Sequence, residues 1–412
     1  MAFSFSAKAL LLQLILNRAG KVFLIIILPI ILYQLKGFSI AESGTILGLG
    51  LLGGCTLSLY FSNLADKLGR SLVAGLSALF TGIFLAGAVY FDNPILICLC
   101  ISLKALAMSI EDPVVCAMLI DETPKELQAH LLAWRFRAIN IGLLLGAPIA
   151  GLVPSQHQEN ALFAASLIFS ASALLYYFLP YKGIQKTKSS ISFKTKVLEL
   201  FKNKPFFILV AVFTLLRFVH HTFMSVLPLQ LTSQFGNNNS QEQSLFQNLA
   251  DIFSGSFSGP TLFSALVLLN SFLVVVLTTS VARLMTRFEV LSLSKIAIAI
   301  FISSTVLLSF YPNAVPALFS SMTLFTLAEV CLWTSMYVVA EELTDEKNRS
   351  IGMAALGLSY YGNAISPIIS TWFLQNLGAS ALWSLQVVVL LFALLLFTRM
   401  GIRIQPARPQ AA

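Results

Sequence analysis

The stretch RAGKVFLIIILPIIL, Arg18 to Leu32, sets two cations one turn apart into a run otherwise apolar enough to cross a bilayer. A charge at the centre of a spanning helix costs roughly 3 kcal/mol on insertion scales, so such residues face an internal cavity or a counter-ion. A worn copy begins 199 residues later as RFVHHTFMSVLPLQL, Arg217 to Leu231. In both, the arginine stands eleven residues before the proline of a Leu-Pro pair, Pro29 and Pro228. SNLADKLGR (Ser62 to Arg70) finds a counterpart in TSVARLMTR (Thr279 to Arg287) at an offset of 217, and Pro148 matches Pro367 at 219. The offset therefore jumps once, within the polar stretch GNNNSQEQSLFQNLADIFSGSFSGP from Gly236 to Pro260. An Arg and a Leu-Pro pair can recur by chance between Leu-rich helices. Three ordered matches with one insertion favour a duplicated unit.

Composition fixes the class. The 412 residues are 57% hydrophobic and 11% charged, with a mean hydropathy of +0.84. Soluble domains carry roughly a quarter charged residues, so this is a polytopic membrane protein. Apolar segments of about 20 residues, the length that spans a bilayer, fall at 8–35, 41–61, 72–91, 94–120, 128–153, 160–180, 205–233, 261–282, 290–311, 314–340, 350–375 and 379–398. The expected fold is all-α, twelve transmembrane helices in two pseudo-symmetric six-helix bundles. The expected divisions are 1–181 for the first bundle, 182–204 for a cytoplasmic linker, 205–400 for the second bundle and 401–412 for a cytoplasmic tail.

Charge orients the chain. With the N-terminus inside, the inner loops hold Lys67, Arg70, Lys125, the run from Lys182 to Lys204, Arg283, Arg287, Lys347 and Arg349, and Arg399, Arg403 and Arg408 follow at the end. The outer loops hold Lys36 beside Asp92, Glu159, Glu242 and Asp251. This positive-inside bias predicts cytoplasmic termini in a multi-pass protein of the cytoplasmic (inner) membrane. The net charge of +8 is explained by orientation and by anionic lipid headgroups, and nucleic acid is not an expected partner. Arg18 and Lys21 interrupt the first apolar run, which argues against a cleaved signal peptide. The five cysteines lie in apolar runs with no CxxC, so neither metal nor cofactor is expected. Nothing points to an enzyme, and a monomer is expected.

The loop SNLADKLGRSLVA, Ser62 to Ala74, resembles the signature G-x-L-A-D-[RK]-x-G-R-[RK] of the major facilitator superfamily. Leu64, Ala65, Asp66, Lys67, Gly69 and Arg70 match, while Ser62 and Ser71 replace the leading Gly and the last basic residue. ISLKALAMSIEDPVVCAMLIDETP has the layout of that family's span four, with Lys104 where an Arg is usual and Asp121 closing the helix. NIGLLLGAPIAG (Asn140 to Gly151) resembles the glycine motif of span five, and GNAISPIIS (Gly362 to Ser370) is its partner in span eleven. The resemblance covers the whole chain. It implies parallel halves related by an axis along the membrane normal, with a central cavity lined by spans one, four, seven and ten. It also implies an inner gate made by Asp66, Gly69, Arg70, Asp121 and Arg349.

Polar residues concentrate on those four spans. Span one carries Gln13, Asn17 and Lys21 at i, i+4 and i+8, with Arg18 beside them; span seven carries Arg217, His220 and His221. Span four carries Lys104 and, two turns on, Glu111 and Asp112 before Pro113; span ten carries Glu329 and Trp333 at i+4. Helical spacing puts each set on or near one face. Asn17, Arg18, Lys21, Lys104, Arg217, His220, His221, Trp333 and, on span eleven, Tyr361 form the expected solute-binding set. Glu111, Asp112 and Glu329, carboxylates in apolar helices, form the expected proton-coupling set. Two structural alternatives stay open: Arg18 pairs with Glu111 or Asp112 to hold spans one and four together, and the histidines bridge helices. Four cations against three anions predict a positive site.

The expected function is therefore a secondary transporter moving a small anionic or zwitterionic organic solute, of metabolite, polycarboxylate or siderophore type. Proton-coupled alternating access drives it, with export favoured by resemblance to bacterial multidrug and metabolite exporters. The alternatives are a multidrug/proton antiporter, a non-transporting sensor and a lipid flippase. In the outer loop, QSLFQNLADIFSG has one apolar face and is expected as a short interfacial helix; Asn238-Asn239-Ser240 is a glycosylation sequon in a secretory-pathway host.

Overall fold

The computed structural model describes residues 3–124, 127–153, 157–178, 201–236, 258–344, 352 and 355–400; within its helices, the side chains of 58–64, 66, 67, 128–130, 132, 133, 136, 279, 282 and 286 stand outside that description. Every described element is helical. Helix starts are closed by short polar side chains that accept from backbone donors left open at the first turn. Thus α1 (Phe5–Gln34) begins at Ser4, whose hydroxyl accepts from the Ala7 amide. α2 (Ile40–Leu68) begins with a reciprocal Ser39–Glu42 capping box. α3 (Arg70–Tyr90) follows after Gly69 alone, which takes φ 100°. That left-handed backbone strains any residue with a Cβ, so the glycine of the loop signature is needed for the turn itself. α4 (Pro94–Asp121) begins at Asn93, which accepts from Ile95 and Leu96, and it runs unbroken through Pro113.

After α5 (Gln128–Leu152) and α6 (Gln158–Phe178) come α7 (Lys204–Ser225) and α8 (Leu227–Phe235). Span seven is thus not the single helix expected. It breaks at Val226, just before Pro228, whose ring cannot follow a helical carbonyl and which lacks an amide donor. Its repeat mate Pro29 stays inside α1. The remaining elements are α9 (Gly259–Arg287), α10 (Val290–Phe310), α11 (Val315–Glu342), a 3-10 turn (Gly357–Ser359) and α12 (Tyr360–Thr398). Gly378, at φ 83° and ψ 174°, divides α12 into two helices where spans eleven and twelve were expected to part. Among the described residues ten helices are long and apolar enough to cross a membrane, counting α12 once. α5 contributes a shorter apolar stretch over Arg137–Leu152. With α12 divided, the twelve expected spans are present. The interfacial helix, the linker over 182–200, Lys125, Arg349 and the tail fall outside the described residues.

Contacts group the chain into two units, residues 1–187 with 224–268 and residues 188–223 with 269–412. In the first, α3 packs on α4 and α6, α2 on α4, and α1 on α5 and the short α8. Helices in lipid gain little from hydrophobic exclusion, so close backbone approach through small residues must hold them. Gly142 and Gly146 provide it for α5: a Cβ on either would overlap α1, at the Arg18 Cβ and Ile15 carbonyl or at the Ala19 carbonyl. Lys36 bonds the Val89 carbonyl, Asp92 and Glu159, fastening the end of α1 to α3 and α6. In the second unit α10 packs on α11 and α12. Its core includes Phe223 against Phe325, Phe301 and Trp383. A buried polar chain, Thr222 to Ser366 and Ser370, with Gln386 donating to Ser370, ties α7 to both parts of α12.

Candidate functional site

In the first unit, α1 and α4 bring five expected residues together, Asn17, Arg18, Lys21, Glu111 and Asp112. Arg18 Nη2 and Lys21 Nζ each donate to Asp112, at 2.8 Å to separate carboxylate oxygens. Lys21 also stands 3.9 Å from Glu111. The structural alternative for Arg18 is the one observed, with Asp112 as its partner. Glu111, almost wholly buried, accepts from Asn17 Nδ2 through both oxygens (2.7 and 2.8 Å) and from the Tyr176 hydroxyl of α6 at 2.9 Å. Charge in this cluster is therefore balanced, two cations against two carboxylates. That changes the reading of a simple cationic excess. Lys104, one face down α4, is 8% exposed and has no carboxylate or hydrogen-bond partner among the described residues.

The second unit repeats the plan with different chemistry. Glu329 on α11 stands 3.0 Å from His220 Nε2 on α7 and accepts from Asn270 Nδ2 of α9 at 2.8 Å; Asn270 also donates to Thr326. Lys21 and His220 are 199 residues apart, and Glu111 and Glu329 are 218 apart, so both members of the two pairs are mates in the sequence repeat. In each unit a carboxylate meets a basic group from the first helix of the repeat and an amide donor. The basic group is a lysine in one and a histidine in the other. His220 also stacks near Phe325 and Trp333, with ring centres 5.3 and 5.0 Å away. His221 lies half-buried one residue on.

Arg217 lacks a carboxylate partner among the described residues. It is 8% exposed, and its Nε donates to Ser359 at 2.8 Å. Its guanidinium carbon lies 3.9 Å from the ring centre of Tyr360, 4.5 Å from that of Phe213 and 5.2 Å from that of Trp333. Ring quadrupoles attract the cation but take no hydrogen bond from its two terminal nitrogens. Trp333 thus belongs to the site, and it is Tyr360 that meets the guanidinium, with Tyr361 half-buried next along. Spacing alone could have found Phe213, four residues before Arg217 on one helix face. Tyr176, Asn270 and Ser359 lie off the four spans singled out and carried no such signal.

Of the expected gate, Arg70 and Asp121 form a direct ion pair between the start of α3 and the end of α4, and both are largely buried. Gly69 supplies the turn that delivers Arg70. The side chain of Asp66 and all of Arg349 lie outside the described residues. Among those residues no group of three or more His, Cys, Asp or Glu could hold a metal ion.

The profile described as Major Facilitator Superfamily matches residues 10–257. YqjV, an uncharacterized MFS-type transporter of Bacillus subtilis (strain 168), is 21% identical over 337 residues, 81% of this chain and 77% of that one. A mutant of the nucleoside transporter NupG superposes with a TM-score of 0.79 at 16% identity, covering 96% of this chain and 100% of that one. A bacterial homologue of the human lysosomal transporter Spinster gives 0.73 at 14% identity, covering 98% of both chains. A POT family transporter in complex with 5-aminolevulinic acid gives 0.71 at 12%, covering 96% of both. At these identities the structural likeness is one of fold.

Proposed function

This chain belongs to the Major Facilitator Superfamily and is a multi-pass membrane transporter, and from that premise we propose that its cargo is a small organic solute bearing a carboxylate, moved by proton-coupled alternating access. The observation that carries this reading is Arg217, a buried cation held by aromatic rings and one serine with no carboxylate opposite it among the described residues. A buried charge without a counter-ion is expensive, and an anionic solute group would supply one. Lys104, buried with no carboxylate partner among the described residues, supports the reading in the first unit. Arg18 and Lys21 do not, because Asp112 and Glu111 already balance them.

For coupling, the proposed seat is His220 with Glu329. The imidazole Nε2 lies 3.0 Å from the carboxylate, close enough for a proton to pass between them, and histidine commonly serves as a proton shuttle. Glu111 is a second seat, and Asp112 serves as a counter-ion. The Arg70–Asp121 pair is proposed as part of the inner gate, in a cytoplasmic membrane with both termini inside, as the loop lysines and arginines argue. The proposed direction is export, on the resemblance to bacterial multidrug and metabolite exporters. Counterflow of labelled organic acids in proteoliposomes tests the cargo class: Arg217→Gln should abolish exchange of carboxylates, and undiminished exchange by that variant overturns the reading.

A further inference from the structure

The aromatic residues around Arg217 narrow the cargo further, on the premise that the cargo is a carboxylate as proposed above. The guanidinium has little freedom. Nε is tied to Ser359, and Tyr360, Phe213 and Trp333 crowd the group at 3.9, 4.5 and 5.2 Å from ring centre to guanidinium carbon. Only the edge bearing the two terminal nitrogens is without a described protein partner. That edge is a flat fork that matches a carboxylate through two parallel hydrogen bonds. Arginine is the right residue here for geometric as well as electrostatic reasons.

The rings do more than hold the cation. Phe213 packs edge-on against Trp333 and Tyr337, at 5.1 and 6.0 Å between centres, so the aromatic cluster continues along α7 and α11 beyond the guanidinium. Its members differ in exposure. Phe213 is fully buried, whereas Tyr337 is 43% exposed and Tyr360 46% exposed. Two half-open tyrosines beside a guanidinium fork that meets no carboxylate among the described residues form a surface with a polar anchor and flat apolar walls, the composition of a small-molecule site. A carboxylate seated in the fork directs the rest of its molecule away from the guanidinium and along these rings.

We propose that this site selects aromatic carboxylates, with Arg217 taking the carboxylate and Tyr360 and Tyr337 taking the ring. Three matched probes separate the contributions: phenylacetate, cyclohexylacetate, which keeps the charge and loses the aromatic ring, and phenylacetamide, which keeps the ring and loses the charge. Binding to the purified protein is read by calorimetry, with quenching of tryptophan fluorescence as a second readout. Phenylacetate should bind about 5-fold tighter than cyclohexylacetate, the size of one well-placed ring contact. In Tyr360→Leu that ratio should fall below about twofold, while Tyr360→Phe, which keeps the ring, preserves it. Equal binding of the two acids, or a preference untouched by Tyr360→Leu, overturns the aromatic inference and leaves the carboxylate reading standing. Phenylacetamide binding as well as phenylacetate overturns the carboxylate reading instead. Binding of neither acid overturns both.

Discussion

Asp112→Asn isolates what the paired charges of α1 and α4 contribute. The substitution keeps the shape and removes the charge that meets Arg18 and Lys21, each at 2.8 Å. At an effective dielectric of about 20, unit charges 4 Å apart attract by roughly 4 kcal/mol. That figure must be discounted, because the side chains of Asp112 and Arg18 are 34% and 24% exposed, leaving about 1 kcal/mol for this pair. The Lys21 side chain is only 9% exposed, and losing its partner leaves a mostly buried ammonium facing Glu111 alone at 3.9 Å, a cost of about 2 kcal/mol. The expected loss is therefore about 2–4 kcal/mol, measured by unfolding in mixed micelles and followed by far-ultraviolet ellipticity. Lys21→Gln on the Asp112→Asn background should recover part of it, because the orphaned ammonium is gone. The double variant should fall short of the sum of the singles by about 1–2 kcal/mol. Singles that add within about 0.5 kcal/mol, or an Asp112→Asn variant as stable as the parent, would refute the pairing.

Four further substitutions probe other contacts. Gly146→Ala drives a methyl into the Ala19 carbonyl and should cost about 1–3 kcal/mol in the same unfolding assay. Gly53→Ala, with open space at its Cβ, should be neutral or stabilising by about 0.5 kcal/mol; matched losses at both sites would remove the close-packing argument. Tyr176→Phe removes one donor from buried Glu111 and should cost about 1–2 kcal/mol, read by the same unfolding assay. Glu329→Gln should keep solute counterflow while losing accumulation driven by a pH gradient, and a variant that still accumulates solute excludes Glu329 from coupling.

Much of the architecture was legible in the sequence because lipid imposes simple rules. Apolar length locates spans, and the internal repeat pairs Arg18 with Arg217. Even the break between spans eleven and twelve fell at Gly378, where the left-handed backbone favours glycine. The splitting of span seven was not legible, since Pro29 and Pro228 occupy equivalent positions and only the second interrupts its helix. For the site, helical spacing collected polar groups onto faces but could not say which cation met which anion. A count of charges over the four spans predicted a positive site, but a count does not show that two of those cations share Asp112. The ring cluster around Arg217 was hidden for another reason. Phe213 and Tyr360 are ordinary residues for an apolar helix, and contact between α7 and the start of α12 is a matter of tertiary packing. The amide and hydroxyl donors Asn270 and Tyr176 are single polar atoms on otherwise apolar spans, visible as partners only once the carboxylates are seen to face them.

The central claim is that Arg217 receives the carboxylate of a solute whose movement is tied to protons. Its most direct measurement is uptake of labelled phenylacetate into proteoliposomes under an imposed pH gradient, with the membrane voltage clamped and protein-free vesicles subtracted to remove passive entry of the free acid. The account predicts protein-dependent accumulation that collapses with the gradient and is absent in Arg217→Gln. Accumulation that persists in Arg217→Gln, or that ignores the gradient, would contradict it.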